Sequence, residues 1–175
     1  MESQEMMIIV EAEPKASARV IPIMINKVTK SGAVVPCARM VPDSGSGGKI
    51  KFWRQRVMGA TQLAMYEYHW RTVPAGMPVV VDVDWVFQVK GIPPTVQPHV
   101  VKPDRDNLDK CILDPMTRVG VWHDDCQVIA GHLVKWMHPA WQGARIYCLS
   151  GQAAVEAMAN RRQFIDDLIT KRLTF

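Results

Sequence analysis

Apolar and polar positions recur along this chain in patterns that predict both strands and helices. Met6 to Glu11 is a short apolar run that reads as a first strand, followed by Pro14, Lys15, Ala16, Ser17, Ala18 and Arg19 as a polar turn. Val34 to Val41 predicts another extended segment. The Ser44, Gly45, Ser46, Gly47 and Gly48 stretch is too rich in glycine and serine to pack into a regular element. From Lys49 to about Trp70, Ile50, Trp53, Val57, Ala60, Leu63 and Ala64 fall at spacings of three and four, which predicts an amphipathic helix with its basic residues in the N-terminal half. Pro74, Gly76 and Pro78 end it.

Val79, Val81, Val83, Trp85 and Phe87 then alternate with Val80, Asp82, Asp84, Val86 and Gln88, as a strand with one strongly apolar face would. A loop containing Gly91, Pro93, Pro94 and Pro98 leads to KPDRDNLDKCILDPM. Here Asp106 is expected to cap a helix, with Asp109 in the place of the capping-box acid and Pro115 limiting it to two or three turns. Gln127 to Met137 and Ala144 to Leu149 predict two strands joined by a hairpin loop over 139–143, and Glu156 to Leu173 predicts a closing helix.

With 175 residues, 48% of them apolar and 22% charged, the chain is expected to form one compact domain over 1–150, with 151–175 as a helical extension of it. No apolar stretch is long enough for a signal peptide or a membrane span, so a soluble, cytoplasmic protein is expected. Cys37, Cys111, Cys126 and Cys148 form no C-x-x-C pair, which argues against a zinc ribbon or a thioredoxin-like site and suits reduced thiols.

The net charge of +4 favours a polyanionic partner, and its distribution says more than its total. Lys49, Lys51, Arg54, Arg56 and Arg71 face a single acid, Glu67, in the predicted helix and its flank, whereas Asp104, Asp106, Asp109, Asp114, Asp124 and Asp125 concentrate in a short later stretch. Cations that hold a phosphate backbone and carboxylates that hold an activating metal are the two needs of a metal-dependent phosphodiesterase.

Asp104 and Asp106, two apart, share a face if the segment is extended, and Asp124 and Asp125 are candidates for a third ligand. Lys110, four residues after Asp106, is placed to reach a phosphate. On spacing alone the plainer reading is the stronger one: helix caps, a solvated ion pair and a surface turn. The His123-Asp124 pair also occurs in metal phosphohydrolases, but that fold is all-helical and needs further helical histidines, against which the strands here argue.

Lys102-Pro103-Asp104-Arg105-Asp106-Asn107-Leu108-Asp109-Lys110, then Asp114, then Trp122-His123-Asp124-Asp125-Cys126-Gln127-Val128 resembles the RusA pattern K-P-D-x-D-N-L-x-K followed by a tryptophan and x-D-D-x-Q-V. The resemblance implies a crossover junction endodeoxyribonuclease that resolves Holliday junctions by paired symmetric nicks. It further implies an α/β fold (α+β mixed), a single RusA-like nuclease domain with a mixed sheet packed with helices, and a homodimer. Asp104, Asp106 and Asp125 then look like ligands of Mg2+ or Mn2+, Asp124 like an additional acid and Lys110 like a catalytic lysine.

Branched DNA, a four-way junction, would be the partner, held by Lys49, Lys51, Arg54, Arg56, Lys102 and Arg105. Glu13-Pro14-Lys15 through Arg19 is similar to the family's proline-and-basic segment near the DNA, although the Arg-Pro-Arg ending is absent, which puts Arg19 in doubt. The competing reading is a catalytically inactive or differently specific relative that binds branched DNA. The intact set of acids and lysine counts against inactivity, because such a cluster of like charges is costly to keep without a use.

Overall fold

Val79, Val81, Val83 and Trp85, the alternate positions of the most regular strand pattern in the sequence, are all buried, and the molecule is built around the strand they belong to. The computed structural model describes residues 3–15, 20–28, 34–42, 47–93 and 95–159. In chain order these form β1 (Gln4–Val10), β2 (Val20–Val28), β3 (Val34–Pro42), α1 (Gly47–Glu67), β4 (Val79–Gln88), β5 (Gln97–Pro98) and α2 (Arg105–Arg118). A 3-10 turn (Asp125–Gln127), β6 (Val128–Ala130), β7 (Leu133–His138), β8 (Gly143–Ser150) and a third helix, α3, over 152–159 complete them.

Six strands make one mixed sheet in the order β1-β8-β4-β7-β5, with β6 also on β4. β8 pairs antiparallel with both β1 and β4, whereas β6 and β7 run parallel to β4. β2 and β3 form a separate antiparallel pair, from Val20 opposite Pro42 to Val28 opposite Val34. The architecture is a mixed α/β domain, as the sequence predicts.

The expected hairpin between the last two strands is not formed, because β4 lies between β7 and β8 and pairs with each. Pairing here follows burial. Val79, Val80 and Val81 are all buried, so β4 takes the centre, where both edges are covered. The connection from β4 to its parallel neighbours carries α2, as parallel pairing requires.

The strand expected over 127–137 is also split at Gly131 and His132. A Cβ on Gly131 would lie 1.8 Å from the Val81 carbonyl oxygen, so only glycine allows the backbone to pass this close to β4.

One face of the sheet, with Met6, Ile8, Val10, Ala144, Ile146 and Cys148 beside the β4 residues, packs beneath α1 and α2. Trp53 of α1 meets Trp85 with ring centroids 5.4 Å apart, and Val57 beside it is fully buried. Leu63, expected on the apolar side of α1, is 58% exposed, and Thr61 is buried instead. Leu108, Cys111, Ile112 and Met116 bury the inner side of α2 completely, each of the larger ones contributing about 1.5–3 kcal/mol.

That burial explains why Pro115 sits inside α2 and does not end it. The helix loses one backbone hydrogen bond there and keeps its apolar seam. It stops at Gly120, whose φ of +82° lets the Gly120 and Val121 amides turn back to Thr117 and Met116. The closing helix begins at 152, four residues before the expected Glu156, and its predicted remainder beyond 159 lies outside the described residues, as does Arg19.

Candidate metal and DNA site

The acids of the KPDRDNLDK segment gather where α2 begins. Asp104, and not Asp106 as the sequence suggests, is the N-cap residue, in extended backbone conformation and without a side-chain capping bond to the helix. Asp106 stands in the first turn, and the two carboxylates therefore meet the positive end of the helix, which favours negative charge. The expected extended Asp104–Asp106 pair is replaced by a cap and a first-turn residue. Lys110 follows one turn later, and Asp104, Asp106 and Lys110 are all exposed.

Asp109 turns inward from the same helix and is half-buried. Burial raises its carboxyl above the ordinary value, with Arg105 opposing and Asp106 reinforcing the shift. Arg105 and Asp109 border a cavity of about 220 Å³ between α2 and the β6–β7 break, walled by Ile112, Leu113, Val128 and Leu133.

Asp124 and Asp125 are held by a different device. The buried Gln127 side chain accepts hydrogen bonds from the His123 and Asp124 amides at 2.9 and 3.0 Å and donates to the Pro74 and Met77 carbonyls at 2.7 and 3.0 Å. Asp124 in turn accepts from the Cys126 amide at 2.9 Å, completing a capping box for the 3-10 turn. Hydrogen bonds from the Cys126 thiol and amide hold the Asp124 carboxyl below its ordinary range, and the thiol, donating to Asp124, is itself pushed up.

Asp124 is thus occupied in shaping the turn, and Asp125 is its exposed neighbour. The turn packs against α2. Trp122, fully buried, fixes the two together by donating from Nε1 to Thr117 Oγ1 at 2.6 Å.

Asp104, Asp106 and Asp125 therefore come from adjoining elements, but among the described residues no three His, Cys, Asp or Glu side chains converge as a metal cage. The donor type fits Mg2+ or Mn2+: hard carboxylate oxygens, exposed to the water that would fill the remaining positions. Mg2+ usually takes only one or two protein carboxylates directly.

The basic residues divide in the same way between exposed and engaged. Lys49, Lys51 and Lys102 are exposed. Arg54 reaches across from α1 to Asp114 of α2 at 3.0 Å, with the pair 30% and 44% exposed. Cys111, buried beneath that pair, has its thiol pushed up to about 11 by burial. Arg56 donates to the Glu11 carbonyl at 3.2 Å, and Lys15 pairs with Glu13.

Lys135 is absent from the sequence-based set, yet its ammonium donates to the carbonyls of Val101 and Pro103, immediately ahead of Asp104. The signal was a lone lysine in an otherwise apolar strand, Leu133-Val134-Lys135-Trp136-Met137.

No described helix is long and apolar enough to cross a membrane. No curated protein sequence matches the chain. The family model for endodeoxyribonuclease RusA matches residues 42–147, well over half of the chain and the whole span from α1 to the acidic turn and beyond. With both acidic clusters and Lys110 inside that span, the chain belongs to the RusA endodeoxyribonuclease family, and membership implies Holliday junction endonuclease function.

Proposed function

We propose that the protein cuts branched DNA by metal-assisted hydrolysis at the junction of α2 and the Asp125 turn. The observation that carries this reading is the placement of Asp104 and Asp106 at the start of a helix that packs against the turn presenting Asp125, within the family match. In the proposal Asp104, Asp106 and Asp125 hold Mg2+ or Mn2+, and Asp124 supports them by shaping the turn. A bound ion of this kind lowers the pKa of coordinated water and neutralises charge on a phosphoryl oxygen.

The residues themselves do the remaining work. Lys110 brings a compact positive charge to the phosphate oxygens as negative charge builds during attack. Lys49, Lys51, Lys102 and Arg105 hold flanking phosphates, which fixes the DNA without reading its sequence. Arg54, Arg56, Lys15 and Arg19 complete the proposed basic set, although Arg54 and Arg56 would have to share their charge between DNA and their protein partners.

Two symmetric nicks call for two copies of the site, so the working unit is proposed to be a homodimer of a single domain over 1–150, and the expected extension over 151–175 lies in part outside the described residues. The sheet face opposite the helices, with Met7 and Ile9 exposed at 39% and 55%, offers apolar surface for such a contact. A cytoplasmic location accompanies the DNA substrate.

The decisive experiment incubates a labelled four-way junction and a matching linear duplex with Mg2+, with Mn2+ and with EDTA, while light scattering measures the mass in solution. Paired symmetric nicks in the junction alone, lost in EDTA, and twice the mass of the chain are expected. Junction binding without cutting under either metal would instead favour an inactive DNA-binding relative.

A further inference from the structure

We infer that Lys135 is a positioning residue for Asp104, an inference that rests on the metal-site reading above. The segment ahead of α2 is fastened to β7 at successive points. Gln97 and Pro98 pair with Met137 and Trp136, and the His99 amide donates to the Lys135 carbonyl at 2.9 Å. Beyond His99 the chain leaves the sheet.

The Lys135 side chain takes over at that point. Its Nζ donates to the Val101 carbonyl at 2.8 Å and to the Pro103 carbonyl at 3.0 Å. The Pro103 carbonyl belongs to the peptide that joins Asp104. On the other side, the Asp104 carbonyl accepts from the Leu108 amide at 3.3 Å, so the backbone of Asp104 is held by the helix after it and by Lys135 before it.

Lysine suits this task because an ammonium offers three donors at one point, and two carbonyls separated by one residue can share it. Being half-buried, Lys135 makes charge-assisted bonds that are stronger than neutral ones. The Asp104 carboxylate is carried by that backbone, so a shift of the peptide that Lys135 holds through the Pro103 carbonyl moves the carboxylate with it. Outer groups that orient metal ligands typically change metal affinity or activity by about 10–100-fold when removed.

The test compares the wild type, Lys135→Met and Lys135→Arg. Binding of Mn2+ alone is followed by loss of its free EPR signal, junction affinity is measured in EDTA, and cleavage is titrated with Mn2+. Lys135→Met is expected to weaken Mn2+ binding and raise the Mn2+ needed for half-maximal cutting by about 10-fold or more, with junction affinity in EDTA within about twofold. Lys135→Arg, whose fork can still span both carbonyls, is expected to recover most of the loss.

Wild-type Mn2+ binding in Lys135→Met would overturn the inference. So would a loss of EDTA junction affinity as large as the loss of cutting, which would make Lys135 a phosphate contact. If Lys135→Met melts far below the wild type, Lys135→Gln, which keeps a donor for one carbonyl, is read by the same criteria. Asp106→Asn run in parallel separates the two hypotheses: retained Mn2+ binding and cutting there would sink the metal-site reading itself, whereas their loss beside a normal Lys135→Met sinks only the role given to Lys135.

Discussion

Asp82 and His132 meet at the break between β6 and β7, where Asp82 Oδ1 accepts from the His132 backbone amide at 2.6 Å and lies 3.2 Å from His132 Nδ1. The Asp82 carboxylate thus supplies the acceptor that a regular strand would have found in its neighbour, at the point where Gly131 crowds the Val81 carbonyl. Removing the acceptor and removing the imidazole should therefore differ. Asp82→Ala is expected to cost about 1–3 kcal/mol in denaturant unfolding, because the His132 amide loses a charged partner. His132→Ala should stay within about 0.5 kcal/mol, since the amide remains and the imidazole is exposed. Gly131→Ala should exceed both, at ~3 kcal/mol or more, because the added Cβ collides with backbone.

Asp106→Asn keeps the size of the side chain and removes its charge. Under the proposed mechanism it should lower junction cleavage by about 10²-fold or more while leaving junction binding intact or slightly tighter. Gel-based cleavage and binding assays on the same preparation check both parts, and full cutting activity would remove Asp106 from the site.

The basic residues of α1 should separate by partner. Lys49→Ala with Lys51→Ala is expected to weaken binding to every DNA shape and to reduce the slope of log affinity against log salt by about two. Arg54→Ala should act chiefly on the protein, lowering stability by about 1 kcal/mol or less through loss of the partly exposed Asp114 pair. A salt slope that changed more for Arg54→Ala than for the lysine pair would reverse this assignment.

Asp109 offers a pH test. Burial raises its carboxyl above the ordinary 3.8, so the folded protein holds that proton more tightly than the unfolded chain does. Its favourable contribution is complete below the unfolded value and is lost as pH rises through the folded one. Asp109→Asn, which never ionises, is therefore expected to be more stable than the wild type at neutral pH, with the difference closing toward about pH 3. Unfolding curves at the two pH values decide it, and equal stability at neutral pH would contradict the buried placement.

Much of this arrangement is legible in the sequence because local patterns carry it. The alternation centred on Val81, Val83 and Trp85 marks β4, and three-four spacing locates α1 within a few positions at each end. What failed needed knowledge of distant partners. Leu63 fits the apolar spacing but faces away from the core that selects Thr61, and Pro115 is tolerated because of what Leu108 and Met116 bury. The position of β4 between β7 and β8 is a property of the assembled sheet, and a short loop between two predicted strands does not reveal it. At the site, the acids were visible as a cluster, whereas Lys135 acts on backbone carbonyls more than thirty positions away, and no spacing rule connects them.

The capping box around Gln127 gives two adjacent and chemically identical aspartates different obligations. Asp124 answers to shape: any side chain that can accept from the Cys126 amide, such as asparagine or serine, satisfies the turn. Asp125, in the proposed reading, answers to charge, and only another anion could stand in for it. On that reading, of the two neighbours it is Asp125 whose neutralisation removes the chemistry and leaves the turn intact, whereas the first acid is open to exchange for any acceptor that closes the turn.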